Sequence, residues 1–440
     1  RSLVRGVEGL HPGCAQEAAK ARIIWSVQWM RRVAAWFLGL AIPLLVPLGA
    51  FAAPGSLDHS FGDHGRVRKH LGEGHSYAYD LALDRHGRIV VAGSDGDGLL
   101  ARFRRDGRLD RSFGRRGVVK LDSVDYAGTV AIDSRGRLVI LGGSTTDGTG
   151  TLARFKPSGA LDDSFGSHGV RETIVGALAL TIDARDRIVT AGGSGDDFAI
   201  ARYEGNGKLD DSFGSDGVVT TDFGGDAGEY ALAVATDSQR RIVAAGTSCD
   251  YDSVAHDPAL CSFAVARYLP GGAGDDSFAG DGKALTDFGG GYDFDHASSV
   301  AVDSRDRVVA AGGSGDSSGS GRGFALARYR QDGQLDPSFG GDGKAFTRFR
   351  DHHHDAASSV AIDSRGRIVA VGGYDHSALA RFGRNGTRDR SFGGDGKVVP
   401  AFSGYDSFSS VAIDSRDRVV AAGASSGAVL LARFVGYRRR

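Results

Sequence analysis

One three-part unit occurs seven times in this chain, and this repeat constrains the fold more than any other feature. Each unit contains an apolar or β-branched residue followed by Asp, with an Arg a few residues later, then Ala-Arg-aromatic, then Ser-Phe-Gly or Ser-Phe-Ala. Repeats of about this length are typical of solenoids, propellers or arrays. The third element centres, at spacings of 48 to 65 residues, on Phe61, Phe113, Phe165, Phe213, Phe278, Phe339 and Phe392.

Short apolar segments separated by Gly, Asp, Asn and Ser predict strands joined by turns. In the second unit we expect strands at 129–133, 138–141 and 151–155, with a fourth at 117–121. These segments are largely apolar and do not alternate cleanly, which indicates that both faces are buried. Four antiparallel strands stacked between two similar neighbours form a blade of a β-propeller.

The two ends of the repeat region indicate how the ring closes. The first Ser-Phe-Gly and a strand at 66–70 precede any first strand of a blade, whereas the last unit stops at Phe434. An outer strand from the N-terminal end would therefore complete the last blade. We predict an all-β fold, a seven-bladed β-propeller of four-stranded antiparallel blades, with about 28 strands. Small residues, such as Ala131 and the Gly after each second strand, are expected where the blades taper towards the axis.

These motifs resemble the delta-60 repeat family of bacterial secreted proteins. The resemblance covers about residues 55–434 and is carried by segments such as DGRLDRSFGRRGVV from Asp106 and DGQLDPSFGGDGKA from Asp332. It implies a β-propeller and supplies no catalytic motif. The chain departs from the pattern at Gly274, Ala279 and Arg388 and at residues 239–240, where turn geometry is expected to vary.

The segment before the repeats has the layout of a secretory signal peptide over residues 30–52. Met30 precedes two arginines, an apolar run over residues 33–49 and an Ala-Phe-Ala cleavage site before Ala53. A membrane anchor is the alternative, although two prolines interrupt a run that is short for a span. We interpret residues 1–29 as an upstream, non-native extension and 435–440 as a basic tail. The predicted location is secreted, periplasmic or at the cell surface.

Composition after residue 52 agrees with an exported globular protein. The 47 Lys and Arg and 52 Asp and Glu that remain give a net charge of −5, which provides no electrostatic basis for nucleic-acid binding. Cys249 and Cys261 bracket an insertion in the fourth unit, and in an oxidising compartment we expect them to form a disulfide. Free thiols, or metal ligands together with His256, are the alternative.

The recurring Asp and Arg residues are expected to be structural, because an active site does not need seven copies. The Asp of each first element accepts turn N–H groups, and the Arg of each second element pairs with a carboxylate between blades. Function is therefore expected where the units differ. Those places are the connections from strand D to strand A and from B to C, which open on one face of the ring.

The D-A connections hold a cluster of aromatic and polar residues expected near the channel mouth. Tyrosine with carboxylates suits stacking on a sugar ring and hydrogen bonding to its hydroxyls, although these residues could also be ordinary polar loop residues. A metal held by the histidines is a weaker alternative, because adjacent residues cannot all face one ion. The candidate binding residues are Tyr77, Tyr79, Tyr126, Tyr230, Tyr292, Asp293, Asp295, His296, His352, His354, Asp355, Tyr405 and Asp406.

The sequence therefore predicts a non-catalytic exported scaffold that binds a glycan or a surface protein. We expect a monomer with no cofactor, no nucleic-acid partner and no membrane span after signal cleavage. The alternative function is a secreted hydrolase or lyase, with Asp293 or Asp295 opposite Asp355 and with His296 as acid or base. No G-x-S-x-G or H-E-x-x-H motif supports a reaction.

Overall fold

The structure, a computed structural model, describes residues 52–121, 124–143, 150–226, 228–252, 257–289, 295–315, 321–349, 355–373, 376–402 and 404–437. Residues 1–51, which contain the predicted upstream extension and nearly all of the predicted signal peptide, lie outside the described part, as do the last three residues of the predicted tail. Ala52–Arg440 is one compact unit. Within the described ranges there is no helix that could span a membrane.

The described residues contain 28 strands in seven sheets of four. In chain order they are β1 (Arg66–Lys69), β2 (Tyr77–Leu83), β3 (Ile89–Ser94), β4 (Gly98–Phe103), β5 (Val118–Leu121), β6 (Tyr126–Ile132), β7 (Leu138–Gly143), β8 (Gly150–Phe155), β9 (Val170–Glu172), β10 (Gly176–Ile182), β11 (Ile188–Ser194), β12 (Asp197–Tyr203), β13 (Val218–Thr221), β14 (Glu229–Thr236), β15 (Ile242–Asp252), β16 (Asp257–Tyr268), β17 (Lys283–Thr286), β18 (His296–Val302), β19 (Val308–Gly315), β20 (Gly321–Tyr329), β21 (Lys344–Thr347), β22 (Ala357–Ile362), β23 (Ile368–Gly372), β24 (Ala378–Phe382), β25 (Lys397–Val398), β26 (Asp406–Ile413), β27 (Val419–Ser425) and β28 (Ala428–Phe434).

The sheets are the blades of a seven-bladed β-propeller, which confirms the predicted fold. Blades 1 to 6 each take four consecutive strands, from β2 to β25, in the order A, B, C, D. Blade 7 consists of β26, β27 and β28, and β1 is its outer strand, paired antiparallel with β28. The A strands contact their neighbours around the ring, including β26 against β2. The ring is therefore closed by the N-terminal strand, as predicted.

One strand assignment from the sequence was wrong. The segment 117–121 does not complete the second unit, because β5 within it pairs with β4 of blade 1. The outer strand of blade 2 is β9, which pairs with β8. Each Ser-Phe element after the first therefore belongs to the blade whose C strand it follows, and the first, at Phe61, belongs to blade 7.

The hydrophobic core lies between blades. All residues of β3, β4 and β7 are buried, which confirms that the middle strands have two covered faces. The phenylalanine of every Ser-Phe element is fully buried. Phe61, for example, packs with Val420 and Leu431 of blade 7 and with Ile89 and Leu99 of blade 1. Each phenylalanine thus helps to fill the space between one blade and the next.

The glycine near the end of each B strand is required mainly by the close approach of the neighbouring A strand. The narrowing of the blades towards the axis explains it less well. A β-bulge interrupts every pairing of an A strand with its B strand at this level. At Gly312 an added Cβ would lie 1.8 Å from the carbonyl oxygen of His296 on the A strand. No side chain fits there, so the bulge explains the glycine directly.

The Arg of each C strand lies in a cage formed by the Asp-x-Ser-Phe element. In blade 5, the Arg328 Nε donates to Asp336 at 2.9 Å, and Nη2 donates to Ser338 Oγ at 3.0 Å. The guanidinium carbon lies 4.6 Å from the centroid of the Phe339 ring, and Nη1 donates to the Arg384 carbonyl of blade 6. The same Asp and Phe contacts surround Arg102, Arg154, Arg202, Arg267, Arg328, Arg381 and Arg433.

The cage differs from the predicted contact in one respect. The carboxylate partner of Arg328 belongs to its own blade, so the prediction of a carboxylate between blades was wrong. The link between blades is instead the hydrogen bond from Nη1 to a backbone carbonyl. The A-B turn behaves as predicted, because Asp303 accepts the N–H groups of Arg305 and Arg307 at 2.9 and 3.0 Å. Arg307 also reaches Asp336 at 3.2 Å and so joins the turn to the cage.

Polar side chains also join neighbouring A strands around the channel. Asp80 of blade 1 accepts the Val130 N–H of blade 2 at 2.9 Å and the Ser410 hydroxyl of blade 7 at 2.7 Å. Burial raises the pKa of Asp80, and its three hydrogen bonds only partly offset that effect. Ser359 similarly accepts the N–H of Val411 at 3.2 Å.

The departures from the repeat pattern keep the local backbone geometry. Ala279 stands where the other units have Gly and still adopts φ 56°, close to the φ 52° of Gly62. Arg240, at the departing A-B turn, has φ 63°. The repeat therefore imposes a left-handed conformation even where the residue does not favour it, at a cost of about 1–2 kcal/mol for a residue with a Cβ.

We expect Ala279→Gly to raise the free energy of unfolding by about 1 kcal/mol, because it removes the left-handed penalty. The matched control is Ala273→Gly in the same C-D connection, whose φ is not positive. That change should lower stability by about 0.5–1 kcal/mol through backbone entropy. Chemical denaturation of both variants gives the comparison, and destabilisation by Ala279→Gly would contradict the proposed strain.

Stability should fall as the pH drops below about 4, the usual pKa of Asp. Burial alone would raise the pKa of each cage aspartate, but hydrogen bonds from Ser and the charge of Arg outweigh it, so the pKa lies below its ordinary value. This holds for Asp58, Asp110, Asp162, Asp210, Asp275, Asp336 and Asp389.

A lowered folded-state pKa contributes stability above the unfolded pKa, and this contribution is lost as pH falls through the folded pKa. Asp80, with its raised pKa, acts in the opposite direction, because its contribution is lost as pH rises. The seven cage aspartates should outweigh Asp80 in the change of the free energy of unfolding with pH. Denaturation curves at pH 7, 5, 4 and 3 measure the effect, and equal or greater stability at pH 3 than at pH 7 would refute it.

Candidate functional site

The connections that vary between blades open on the face where the A strands begin. We call it the D-A face. Nine of the thirteen candidate residues lie in the described part of the chain. The other four, which lie outside the described residues, are Tyr292, Asp293, His352 and His354.

Four aromatic rings form a row at the start of the A strands of blades 1 and 2. The ring centroids of His75 and Tyr77 are 6.3 Å apart, and those of Tyr77 and Tyr79 are 6.4 Å apart with planes inclined by 8°. Tyr126 meets Tyr79 edge-on at 6.2 Å. The Tyr79 hydroxyl lies 3.0 Å from Ser94 Oγ, which fixes its ring. Tyr77 and Tyr79 remain 38% and 39% exposed, so the row presents an aromatic surface.

Apolar side chains extend this surface towards blades 3 and 4. Ile174 is 52% exposed, Leu178 is 46% exposed and Tyr230 is 43% exposed. The Tyr230 ring lies against Gly193 of blade 3, where an added Cβ would be 2.9 Å from a ring carbon. We call the set the apolar crescent: Tyr77, Tyr79, Tyr126, Ile174, Leu178 and Tyr230.

The opposite sector of the same face is polar. At the bulge of each A strand, Tyr79 of blade 1 and Leu178 of blade 3 correspond to Ser298, Ser358 and Ser409 of blades 5, 6 and 7. At the A-strand bulges, blades 1 and 3 therefore carry large aromatic or aliphatic side chains, whereas blades 5, 6 and 7 carry hydroxyls. The scaffold repeats, but its D-A face does not.

The candidate carboxylates of the D-A connections are buried rather than exposed. The solvent-exposed fractions are 0% for Asp295, 3% for Asp355 and 5% for Asp406. Asp295 Oδ2 accepts the N–H of Phe288 at 2.7 Å, and Asp355 lies 3.4 Å from His376 Nε2. Asp295 therefore holds its own D-A connection, and Asp355 contacts the B-C connection of blade 6.

The other described candidates have separate positions. His296 begins the A strand of blade 5 and packs over Gly313, where an added Cβ would be 2.8 Å from its ring. Tyr405 is 83% exposed in the connection that leads to β26. Neither residue is part of the apolar crescent.

Three acidic side chains approach one another beside blade 3. One ligand atom from each of Asp197, Asp222 and Glu229 lies within 4.8 Å of the others. Glu229, however, is fully buried and already accepts two loop N–H groups at 2.8 and 2.9 Å and the Ser248 hydroxyl at 2.9 Å. Its oxygens stabilise the loop, and we assign no metal to this trio.

A disulfide ties the longest hairpin of the D-A face. Cys249 on β15 and Cys261 on β16 face each other across the antiparallel pair and are bonded, which confirms the predicted bridge. Both are buried, at 8% and 3% exposure. The bridge fixes a hairpin that extends beyond the rest of blade 4.

Sequence reasoning missed His75, Ile174 and Leu178. An alignment of the seven units on the bulge residue of each A strand would have found Leu178, because it occupies the position of Tyr79. His75 and Ile174 lie in connections of unequal length, where the repeat supplies no register.

Five segments of the chain match the model of a family described as a domain of unknown function (DUF5122) beta-propeller, at residues 87–113, 136–165, 186–213, 306–339 and 366–392. The chain is a β-propeller repeat protein. Each matched segment runs from an A-B turn to the phenylalanine of the cage, so the match covers the repeated scaffold and omits every D-A connection. No curated protein matches the chain.

Solved structures show the same fold at low identity. A catalytically inactive virginiamycin B lyase from Staphylococcus aureus, with quinupristin, is 9% identical with a TM-score of 0.54, over 84% of this chain and 99% of the lyase. The selenomethionine-substituted form of that lyase gives a TM-score of 0.52 at the same identity and coverage. YCF48 from Cyanidioschyzon merolae gives 0.48 at 12% identity, over 84% of this chain and 98% of that one. At such identities the likeness concerns the fold alone.

Proposed function

We propose that this propeller is an exported, non-catalytic scaffold of the delta-60 repeat type that binds a glycan on its D-A face. The apolar crescent carries the proposal, because it places exposed rings on one side of the channel mouth of a repeated scaffold. Stacked tyrosines suit the apolar face of a sugar ring, and the serines opposite can bond its hydroxyls. A surface protein is the other ligand class that such a face could bind.

Export is proposed from the signal-like segment 30–52 together with the disulfide. Bridges such as Cys249–Cys261 persist in secreted and periplasmic compartments and are rare in a reducing cytosol. The segment directly after the proposed cleavage site is joined to blade 7, since the Gly55 N–H donates to the Val435 carbonyl at 2.8 Å and the Ala53 carbonyl accepts the Ser56 N–H at 3.0 Å. Cleavage before Ala53 would therefore leave the propeller intact.

Binding is favoured over hydrolysis or elimination by the state of the carboxylates. A catalytic pair must reach the substrate, but Asp295 and Asp355 are 0% and 3% exposed. The Asp295 carboxylate also accepts a backbone N–H of its own connection. The exposed side chains of the apolar crescent, by contrast, are tyrosine, isoleucine and leucine, which bind without providing a general acid or base at neutral pH.

Removal of one ring should weaken glycan binding while leaving the fold unchanged. We expect Tyr77→Ala to cost about 1–3 kcal/mol of binding free energy, as for truncated anchors in other interfaces, which is roughly a 5- to 150-fold increase in Kd. The measurement is a glycan array followed by calorimetry on the best glycan. Arg135→Ala, in an exposed A-B turn on the opposite face, is the control and should bind normally.

The protein for this assay is collected from outside the producing bacteria, and its intact mass is measured. A chain that begins at Ala53 and is two mass units lighter than its reduced form agrees with export and the bridge. Retention of residues 1–29 would contradict the export proposal. If the affinity for the glycan responds to Arg135→Ala and not to Tyr77→Ala, the assignment of the binding site to the D-A face is wrong.

A further inference from the structure

Basic side chains lie beside the ring closure, on the face opposite the apolar crescent. The C-D connection of blade 6, residues 383–396, contains three Arg and two Asp. The equivalent connection of blade 4, residues 269–282, contains three Asp and no Lys or Arg. The scaffold is the same in both blades, so this difference in charge is not required by the fold.

A pocket of about 930 Å³ lies between blade 6 and the N-terminal segment that closes the ring. We call it the closure pocket. Its basic lining residues are Arg365, Arg367, Arg390 and Lys397, and no acidic residue lines it. The segment 53–56 and Tyr437, from the two ends of the propeller, complete the wall.

Two of the four cations are already compensated. Arg367 pairs with Asp363 at 2.6 Å as part of the repeated turn, and Lys397 lies 3.6 Å from Asp395. Arg365 and Arg390 are exposed, and among the described residues neither has a carboxylate at ion-pair distance. The pocket thus holds two guanidinium groups whose charge the described chain does not neutralise.

Arg365 is held in position before any ligand arrives. Its backbone N–H donates to Asp363 at 2.9 Å, which fixes the turn. Its guanidinium carbon lies 4.4 Å from the centroid of the Tyr437 ring, at cation–π distance. A guanidinium fixed in this way loses little conformational entropy when it binds an anion.

We propose that the closure pocket binds a phosphate or sulfate ester group, with Arg365 and Arg390 as its ligands. The planar fork of Arg matches the paired oxygens of such groups. Like charges in a concave site with low-dielectric walls focus the field on an incoming anion. The ester could belong to a small molecule or to a substituted polysaccharide, and the two sources share this chemistry.

The test measures binding of two probes to the full chain by calorimetry at low and high salt. Pyrophosphate represents the small molecule, and dextran sulfate, compared with uncharged dextran, represents the polymer. Arg365→Ala and Arg390→Ala should each lower the affinity tenfold or more for whichever probe binds. Arg135→Ala is the matched control, because residues 132–138 and 362–368 differ only in the last position, Leu138 against Ile368, and Arg135 does not line this pocket.

The site is supported if either probe binds, if both pocket variants lower its affinity and if Arg135→Ala leaves that affinity unchanged. The probe that binds then identifies the source of the ester. Equal losses in all three variants would show general charge attraction and overturn it. The absence of binding by both probes would also overturn it. So would unchanged binding in Arg390→Glu, which reverses the charge of an exposed side chain; circular dichroism checks that this variant is folded. None of these outcomes depends on a glycan at the apolar crescent.

Discussion

A single guanidinium group fastens a blade to its neighbour at six of the seven blade junctions. The Arg of strand C is held inside its own blade by an aspartate, a serine and a phenylalanine ring, and in six of the seven blades it donates to a carbonyl of the next. Burying such a charge is expensive unless it is paired and its donors are satisfied. The cage pairs the charge in every blade and provides a carbonyl for Nη1 in all but blade 4, where Arg267 Nη1 has no hydrogen-bond partner among the described residues. This explains why the Asp, Ser, Phe and Arg recur together.

Because the cage lies with the A-B turns at one end of the blades, the other end is free to vary. The connections on the D-A face are held by local contacts that differ between blades. Asp295 accepts the Phe288 N–H in a D-A connection, and the Cys249–Cys261 bridge ties a B-C hairpin. Exposed aromatic side chains and serines at the A-strand bulges can therefore differ between blades without disturbing the closed circle of blades. The apolar crescent and the closure pocket are both departures from a scaffold that does not require them.

The repeat predicts the blades and their number because the same residues are needed seven times at the same place. It also predicts the closing strand, since Arg66–Lys69 has no earlier partner. The burial of Asp295 could not be predicted, because it depends on a backbone N–H that only the folded connection directs at it. The role of Gly312 likewise depends on a bulge on the neighbouring strand, which leaves no signal in the sequence of the glycine's own strand.

The most direct test of this account is a double-mutant cycle on the cage that joins the two ends of the propeller. Asp58 precedes the closing strand β1, and Arg433 on β28 donates to it at 2.9 Å. Free energies of unfolding are measured for Asp58→Asn, Arg433→Gln and the double variant. The account predicts a favourable coupling energy of about 1–3 kcal/mol, as for buried, directly bonded groups. A coupling energy near zero would show that the cage does not hold the ring closed.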